Sequence, residues 1–142
     1  MQVSHIGICV SDPERSIAFY RDGLGFSPRN ELTVKGKPSE TLLRLREVEL
    51  RAIYLQRDGV VIELLHYASP GCTGDGQPRP MNGLGLTHLS LRVDDLDGAL
   101  EALSRQGATV LRDTLIDNSE LRAKAAFLTD PDGTLIELVE IT

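Results

Sequence analysis

The sequence contains no tryptophan, and aromatic residues make up only 4% of it. A surface that stacks nucleobases or grips a protein partner through aromatic anchors is therefore not expected. A basic excess is also missing. The formal net charge is −6, so no global field draws the chain to nucleic acid or to anionic lipid. Only two cysteines occur, Cys9 and Cys72, and they form no Cys-x-x-Cys unit, which argues against a disulfide framework. Cys9 lies in an apolar run and reads as a small buried side chain rather than a nucleophile. No apolar run approaches membrane-spanning length. The N-terminal residues lack the basic start and long apolar core of a signal peptide, so the expected compartment is the cytoplasm.

What is present suits one ordinary folded domain: 142 residues, 41% hydrophobic and 25% charged. Basic residues gather between Arg29 and Arg57, with Lys35, Lys37, Arg44, Arg46 and Arg51 between them. They read as a solvated strand face before an anion-binding wall for a carboxylate or phosphate.

The strongest signal is self-similarity. His5-Ile-Gly-Ile-Cys-Val-Ser-Asp12 is echoed by His88-Leu-Ser-Leu-Arg-Val-Asp-Asp95. Leu50-Arg-Ala52 recurs as Leu121-Arg-Ala123, and Asp58-Gly-Val-Val-Ile-Glu-Leu64 recurs as Asp132-Gly-Thr-Leu-Ile-Glu-Leu138. Echoes in the same order in both halves indicate duplication. The reading is one domain over residues 1–142, with a module over about 1–67, a Pro/Gly-rich connector over 68–85 and a second module over about 86–142.

Each module reads as βαβββ. In the first, residues 3–10 alternate as a strand, and Asp12-Pro13-Glu14 supplies an N-cap, a proline at the first helical position and an early acid. Ile17, Tyr20 and Leu24 follow at helical spacing, and Gly23 and Gly25 mark the exit. Strands are expected over about 29–34, 40–46, 50–56 and 60–67, one of them irregular, with Arg57-Asp58-Gly59 as a turn. The second module carries a strand over 86–93 and a helical stripe of Leu96, Ala99, Leu100 and Leu103 ended by Gly107. Its further strands are expected near 109–113, 121–129 and 134–141, with Asp130-Pro131-Asp132-Gly133 as the last turn.

Strand parity then picks out a site. Ile6, Ile8 and Val10 share the face that packs on the helix, which leaves His5, Gly7 and Cys9 opposite. In the repeat, His88, Ser90 and Arg92 lie away from the helix. Glu63 and Glu137 each stand alone inside an apolar strand, at the same place in both modules. Such a carboxylate is costly to bury without a partner, and no basic residue recurs at matching positions to supply one. A lone strand histidine is usually core or surface, and a lone strand glutamate usually faces water. The pairwise recurrence instead points to one shared divalent cation held by His5, Glu63, His88 and Glu137. An N/O donor set without sulfur suits Zn, Ni, Co, Mn or Fe.

These motifs, with Ser16-Ile-Ala-Phe-Tyr-Arg-Asp-Gly-Leu-Gly-Phe26 and Asp130-Pro-Asp-Gly-Thr-Leu-Ile-Glu137, resemble the glyoxalase/bleomycin-resistance/extradiol-dioxygenase (vicinal oxygen chelate) superfamily over essentially the whole chain. The resemblance implies an α+β fold in which two βαβββ modules form an eight-stranded incomplete barrel around the ion, usually as a homodimer. Within the superfamily, four candidate ligands are similar to glyoxalase I and methylmalonyl-CoA epimerase, and Glu63 in place of a glutamine leans towards the former. The implied activity is that of a lyase or isomerase acting on a small-molecule substrate, moving a proton next to a carbonyl by way of an enediolate held on the ion. Ser39-Glu40-Thr41-Leu42-Leu43 looks like the epimerase segment with a catalytic glutamate, so the proton carrier is expected to be Glu40 or a loosened Glu137. The alternatives are an extradiol-type ring-cleaving dioxygenase and a non-catalytic small-molecule-binding resistance protein.

Overall fold

Capping and alternation build the same plan twice in the computed structural model, which describes residues 1–141. In the first half, β1 (Ile6–Cys9) alternates half-buried Ile6 and Ile8 with exposed Gly7 and Cys9. Helix α1 (Pro13–Ala18) starts as expected: the Asp12 carboxylate accepts the Arg15 N–H at 3.1 Å, and Pro13 opens the first turn, where a missing N–H costs nothing. The helix runs on as a π-turn over Phe19–Gly23, and Phe19 and Tyr20, though adjacent in sequence, are both fully buried. Then come β2 (Ser27–Lys35), α2 (Lys37–Leu43), β3 (Glu49–Arg57) and β4 (Val60–Ser69). The sheet order is β1-β4-β3-β2, with β1 parallel to β4.

Two expectations need correction here. The strand expected around residues 40–46 is helix α2. Pro38 sits in its first turn with Glu40, and the signal was masked because Thr41-Leu42-Leu43 is too short an apolar run to show its period. Cys9 is exposed rather than buried, because it lies on the side of β1 away from α1.

The second half contains β5 (Leu89–Val93), α3 (Leu96–Arg105), β6 (Thr109–Asn118), β7 (Ala123–Thr129) and β8 (Leu135–Ile141), ordered β5-β8-β7-β6 with β5 parallel to β8. Asp95 caps α3 by accepting the Gly98 N–H at 3.1 Å, and Leu96, Leu100 and Leu103 form its buried stripe. Both halves are thus four-stranded mixed sheets with helices, the α+β class read from the sequence. The chain divides into two compact units, the first Met1–Gly74 and the second from Asp75 onward. Part of the connector belongs to the second unit. There Arg79 donates to the carbonyls of Leu84 and Leu86, and a Cβ at Gly133 (φ 90°) would collide with the Gly76 carbonyl.

The register also shows which echoes are structural. Glu63 faces Tyr54 across β3–β4 and Glu137 faces Phe127 across β7–β8. Counting from these pairs, the counterparts of Leu50, Arg51 and Ala52 are Ala123, Lys124 and Ala125. The Leu121-Arg-Ala123 echo is therefore out of register by two residues, and Leu121 and Arg122 lie in the turn before β7.

Candidate metal centre

In the first unit the parallel pairing of β1 with β4 sets Gly7 beside Glu63, which carries His5 to the same end of the same face. His5 Nε2 lies 3.0 Å from Glu63 Oε2. Ser4 Oγ is 3.0 Å from the other ring nitrogen, Nδ1. At that distance Nε2 donates to the Glu63 carboxylate; with an ion in its place, Nδ1 would carry the proton towards the Ser4 hydroxyl and Nε2 would be free to ligate. Tyr54 donates its hydroxyl to Glu63 Oε1 and sets its ring edge-on to His5, with centroids 5.4 Å apart. That hydrogen bond to a carboxylate, together with partial burial, pushes the Tyr54 phenol up to about 12.

The second unit repeats the device with different donors. His88 Nε2 is 3.7 Å from Glu137 Oε2, and Thr87 Oγ1 is 2.9 Å from His88 Nδ1. Phe127 takes the place of Tyr54, edge-on to His88 at 5.3 Å. Having no hydroxyl, it leaves the donor's role to Ser90, whose hydroxyl reaches Glu137 Oε2 at 2.7 Å. Ser90 stands where the first unit has Gly7, the residue directly beside the glutamate.

Each His–Glu pair has the chemistry of two metal ligands. Two donors bound at about 2.1 Å lie about 3.0 Å apart at right angles and about 3.4 Å apart in a tetrahedron. The first pair matches such spacing at 3.0 Å, and the second, at 3.7 Å, lies somewhat beyond it. Neither carboxylate is sealed off as expected: the Glu63 side chain retains 13% exposure and Glu137 27%. Among the described residues, no group of three or more His, Cys, Asp or Glu is close enough to hold an ion, so each unit by itself offers one pair.

Glu40 is placed differently. It sits on α2, where its carboxylate accepts the Glu47 N–H at 2.9 Å and lies 3.7 Å from Lys37 Nζ. A cavity of about 380 Å³ holds His5, Tyr54 and Glu63, and α2 contributes Ser39, Leu42 and Leu43 to its lining but not Glu40. The basic residues noted in the sequence do not line it either. Arg51 pairs with Glu14 and Glu31, and Arg57 donates to the Leu24 carbonyl.

Sequence reasoning missed Ser4, Thr87, Tyr54 and Ser90. A signal for the first two was available, since a hydroxyl residue precedes each candidate histidine. Tyr54 and Ser90 carry none, because they exchange roles between the units. No helix among the described residues is long and apolar enough to cross a membrane.

Comparison with known proteins gives concordant results. The profile of the Glyoxalase/Bleomycin resistance protein/Dioxygenase superfamily matches residues 2–138. Uncharacterized protein YaeR of Escherichia coli (strain K12) is 32% identical over 139 residues, which cover 98% of this chain and 95% of YaeR. A lactoylglutathione lyase of Haemophilus influenzae is 27% identical, with 99% of this chain and 93% of the lyase covered. Among solved structures, a glyoxalase family protein from Bacillus cereus superposes with a TM-score of 0.83 at 20% identity, covering 99% and 93% of the two chains. The last similarity bears on the fold alone.

Proposed function

We propose, from the premise that this chain belongs to the glyoxalase/bleomycin resistance protein/dioxygenase superfamily, that it is a metal-dependent lyase or isomerase moving a proton at a carbon next to a carbonyl. The observation that carries this reading is the doubled hydroxyl–His–Glu–hydroxyl arrangement: Ser4, His5, Glu63 and Tyr54 in one unit, Thr87, His88, Glu137 and Ser90 in the other. A histidine oriented through its second nitrogen and a carboxylate steadied by a neighbouring hydroxyl are what metal sites require of their outer shell. His5, Glu63, His88 and Glu137 together form the ligand set for one divalent ion, supplied by one chain or by two. The likeness to a lactoylglutathione lyase supports the choice of reaction class.

When bound, such an ion supplies Lewis acidity to the substrate's oxygens. The chain supplies the proton traffic. Glu63 is the anchored carboxylate, held by Tyr54 and close to His5. Glu137 is steadied by Ser90 but lies farther from its histidine and is more exposed, which suits a proton carrier. Its carboxylate takes the C–H proton, and the electron pair left behind moves onto the carbonyl oxygen. The proton is then returned to the same carbon or to its neighbour. Glu40, engaged with Glu47 and Lys37 and outside the lining of the cavity beside Glu63, is assigned no part in this proposed step.

The test is α-hydrogen exchange in deuterated water by protein loaded in turn with Zn, Ni, Co, Mn and Fe, across hemithioacetal and thioester panels. Exchange that depends on both the ion and Glu137 is expected. Stoichiometric metal without exchange in either panel overturns the reaction class. Oxygen uptake with catechols under Fe²⁺ would then place the protein among the ring-cleaving members, and metal-independent ligand binding among the sequestering ones.

A further inference from the structure

We propose that helix α2 is an apolar lid positioned by Glu40, and that the ligand part it covers beside His5 and Glu63 is a compact, uncharged hydrocarbon or aryl substituent. This rests on the metal-chelate reading above and adds to it a substrate class.

The cavity lies wholly within the first unit. His5, Tyr54 and Glu63 form its polar end, and its walls are aliphatic, among them Leu32, Val34, Leu50 and Leu65, with Leu42 and Leu43 from α2. No lysine or arginine is among the lining residues, so a carboxylate or phosphate placed against the aliphatic walls would lose its water with no side-chain cation to pair with it. An ammonium group gains little, because Glu63 already has Tyr54 and His5. A neutral apolar group fits without penalty. About 380 Å³ is near the lower end of small-ligand sites, which holds the group to modest size. Leu42 is 82% exposed and Leu32 48%, so both rim side chains have apolar surface to lose when the cavity fills.

The lid is held by few contacts. A seven-residue helix does not persist alone, and this one lies between Gly36 (φ 88°) and Arg44 (φ 57°). Leu43 packs against the Val48–Leu50–Ala52 cluster. Helix α2 also packs on β2, and a polar tie comes from Glu40, which reaches past the end of α2 to the Glu47 N–H and also faces Lys37. Glu40 thus fixes where Leu42 and Leu43 stand. The second unit has no helix between β6 and β7 among its described residues, so selection of the substituent belongs to the first unit.

The experiment uses three chelators with one head group, acetohydroxamate, benzohydroxamate and 4-carboxybenzohydroxamate, titrated calorimetrically into Zn-loaded protein. Burial of the phenyl ring should make benzohydroxamate at least about tenfold tighter than acetohydroxamate, and the added carboxylate should erase that gain. Leu42→Glu should collapse the phenyl-to-methyl ratio. Glu40→Ala should lower it too and speed hydrogen exchange at residues 37–43 in the metal-free protein. Glu40→Gln, whose amide oxygen still accepts the Glu47 N–H, should preserve both. Equal affinity for the methyl and phenyl probes, or undiminished affinity for the carboxylated one, overturns the substituent class. Exchange at 37–43 that ignores Glu40→Ala overturns the lid's positioning. If no probe binds and no metal is retained, the underlying metal reading falls and takes the substituent class with it.

Discussion

The two units solve one problem with different residues. Each must hold a glutamate still on an open sheet face beside a histidine, and each recruits a hydroxyl to do so. The first takes it from across the antiparallel pair, Tyr54 on β3, and keeps glycine at position 7 on the parallel neighbour. The second takes it from the parallel neighbour, Ser90 on β5, and keeps the hydroxyl-free Phe127 on β7. The helix-side cores differ as freely: the first is built on Phe19, Tyr20 and Phe26, the second on Leu96, Leu100 and Leu103. Packing tolerates such exchange provided volume and patterning are kept, whereas the face that bears His and Glu keeps its chemistry while changing its suppliers.

The largest effect expected from breaking this comparison is in the cores. Phe19→Ala should cost about 3–5 kcal/mol and Leu100→Ala about 2–5 kcal/mol, read by chemical denaturation, because both leave cavities that the neighbours fill poorly. Next come the candidate ligands. Replacing Glu63 or Glu137 by Gln should lower metal affinity by more than about 100-fold in chelator competition, beyond the roughly 10–100-fold typical of outer-shell changes. Equal retention of metal by both variants would separate the glutamates from the ion altogether.

Smaller and more telling is the donor exchange. Tyr54→Phe installs the second unit's residue in the first and should lower metal affinity by about 10–100-fold, as should Ser90→Ala in the second unit. Adding Gly7→Ser to Tyr54→Phe should recover part of the loss, since it completes the second unit's arrangement. The Leu65 side chain must yield for it, because a Cβ at Gly7 would lie 3.1 Å from Leu65 Cδ1. If the double variant binds no better than Tyr54→Phe alone, the two donors are not interchangeable.

The smallest effect concerns the outer surface of the sheets. Arg51 pairs with Glu31 and Glu14, whereas its counterpart Lys124 faces Glu140 at 3.9 Å. The hydrogen bond from Arg51 holds the Glu31 carboxyl below its usual range. A depressed carboxylate adds stability above its unfolded pKa and loses it as pH falls through the folded value. Arg51→Met should therefore flatten the acid limb of the stability profile by at most about 1 kcal/mol, since the pair is partly exposed.

Much of this was legible in the linear chain, and the exceptions are instructive. Asp12-Pro13 announces a helix start because an acceptor and a missing donor act locally, and Asp58-Gly59 announces a hairpin because both adopt positive φ. Helix α2 was misread because an apolar run of a few residues fits either period. The Leu-Arg-Ala echo misled because a match of three residues carries no register.

The sequence by itself determined the duplication, the strand parity and the pairing of His5 with Glu63 and of His88 with Glu137 as candidate ligands, because repetition and alternation are properties of the linear order. Only the tertiary structure decided which hydroxyl steadies each glutamate, that Glu40 accepts the Glu47 N–H beyond the end of α2, and that the cavity beside His5 is largely aliphatic. Those choices depend on which strands become neighbours and in what register, and a hydrogen bond between residues on different strands leaves no periodic mark on either.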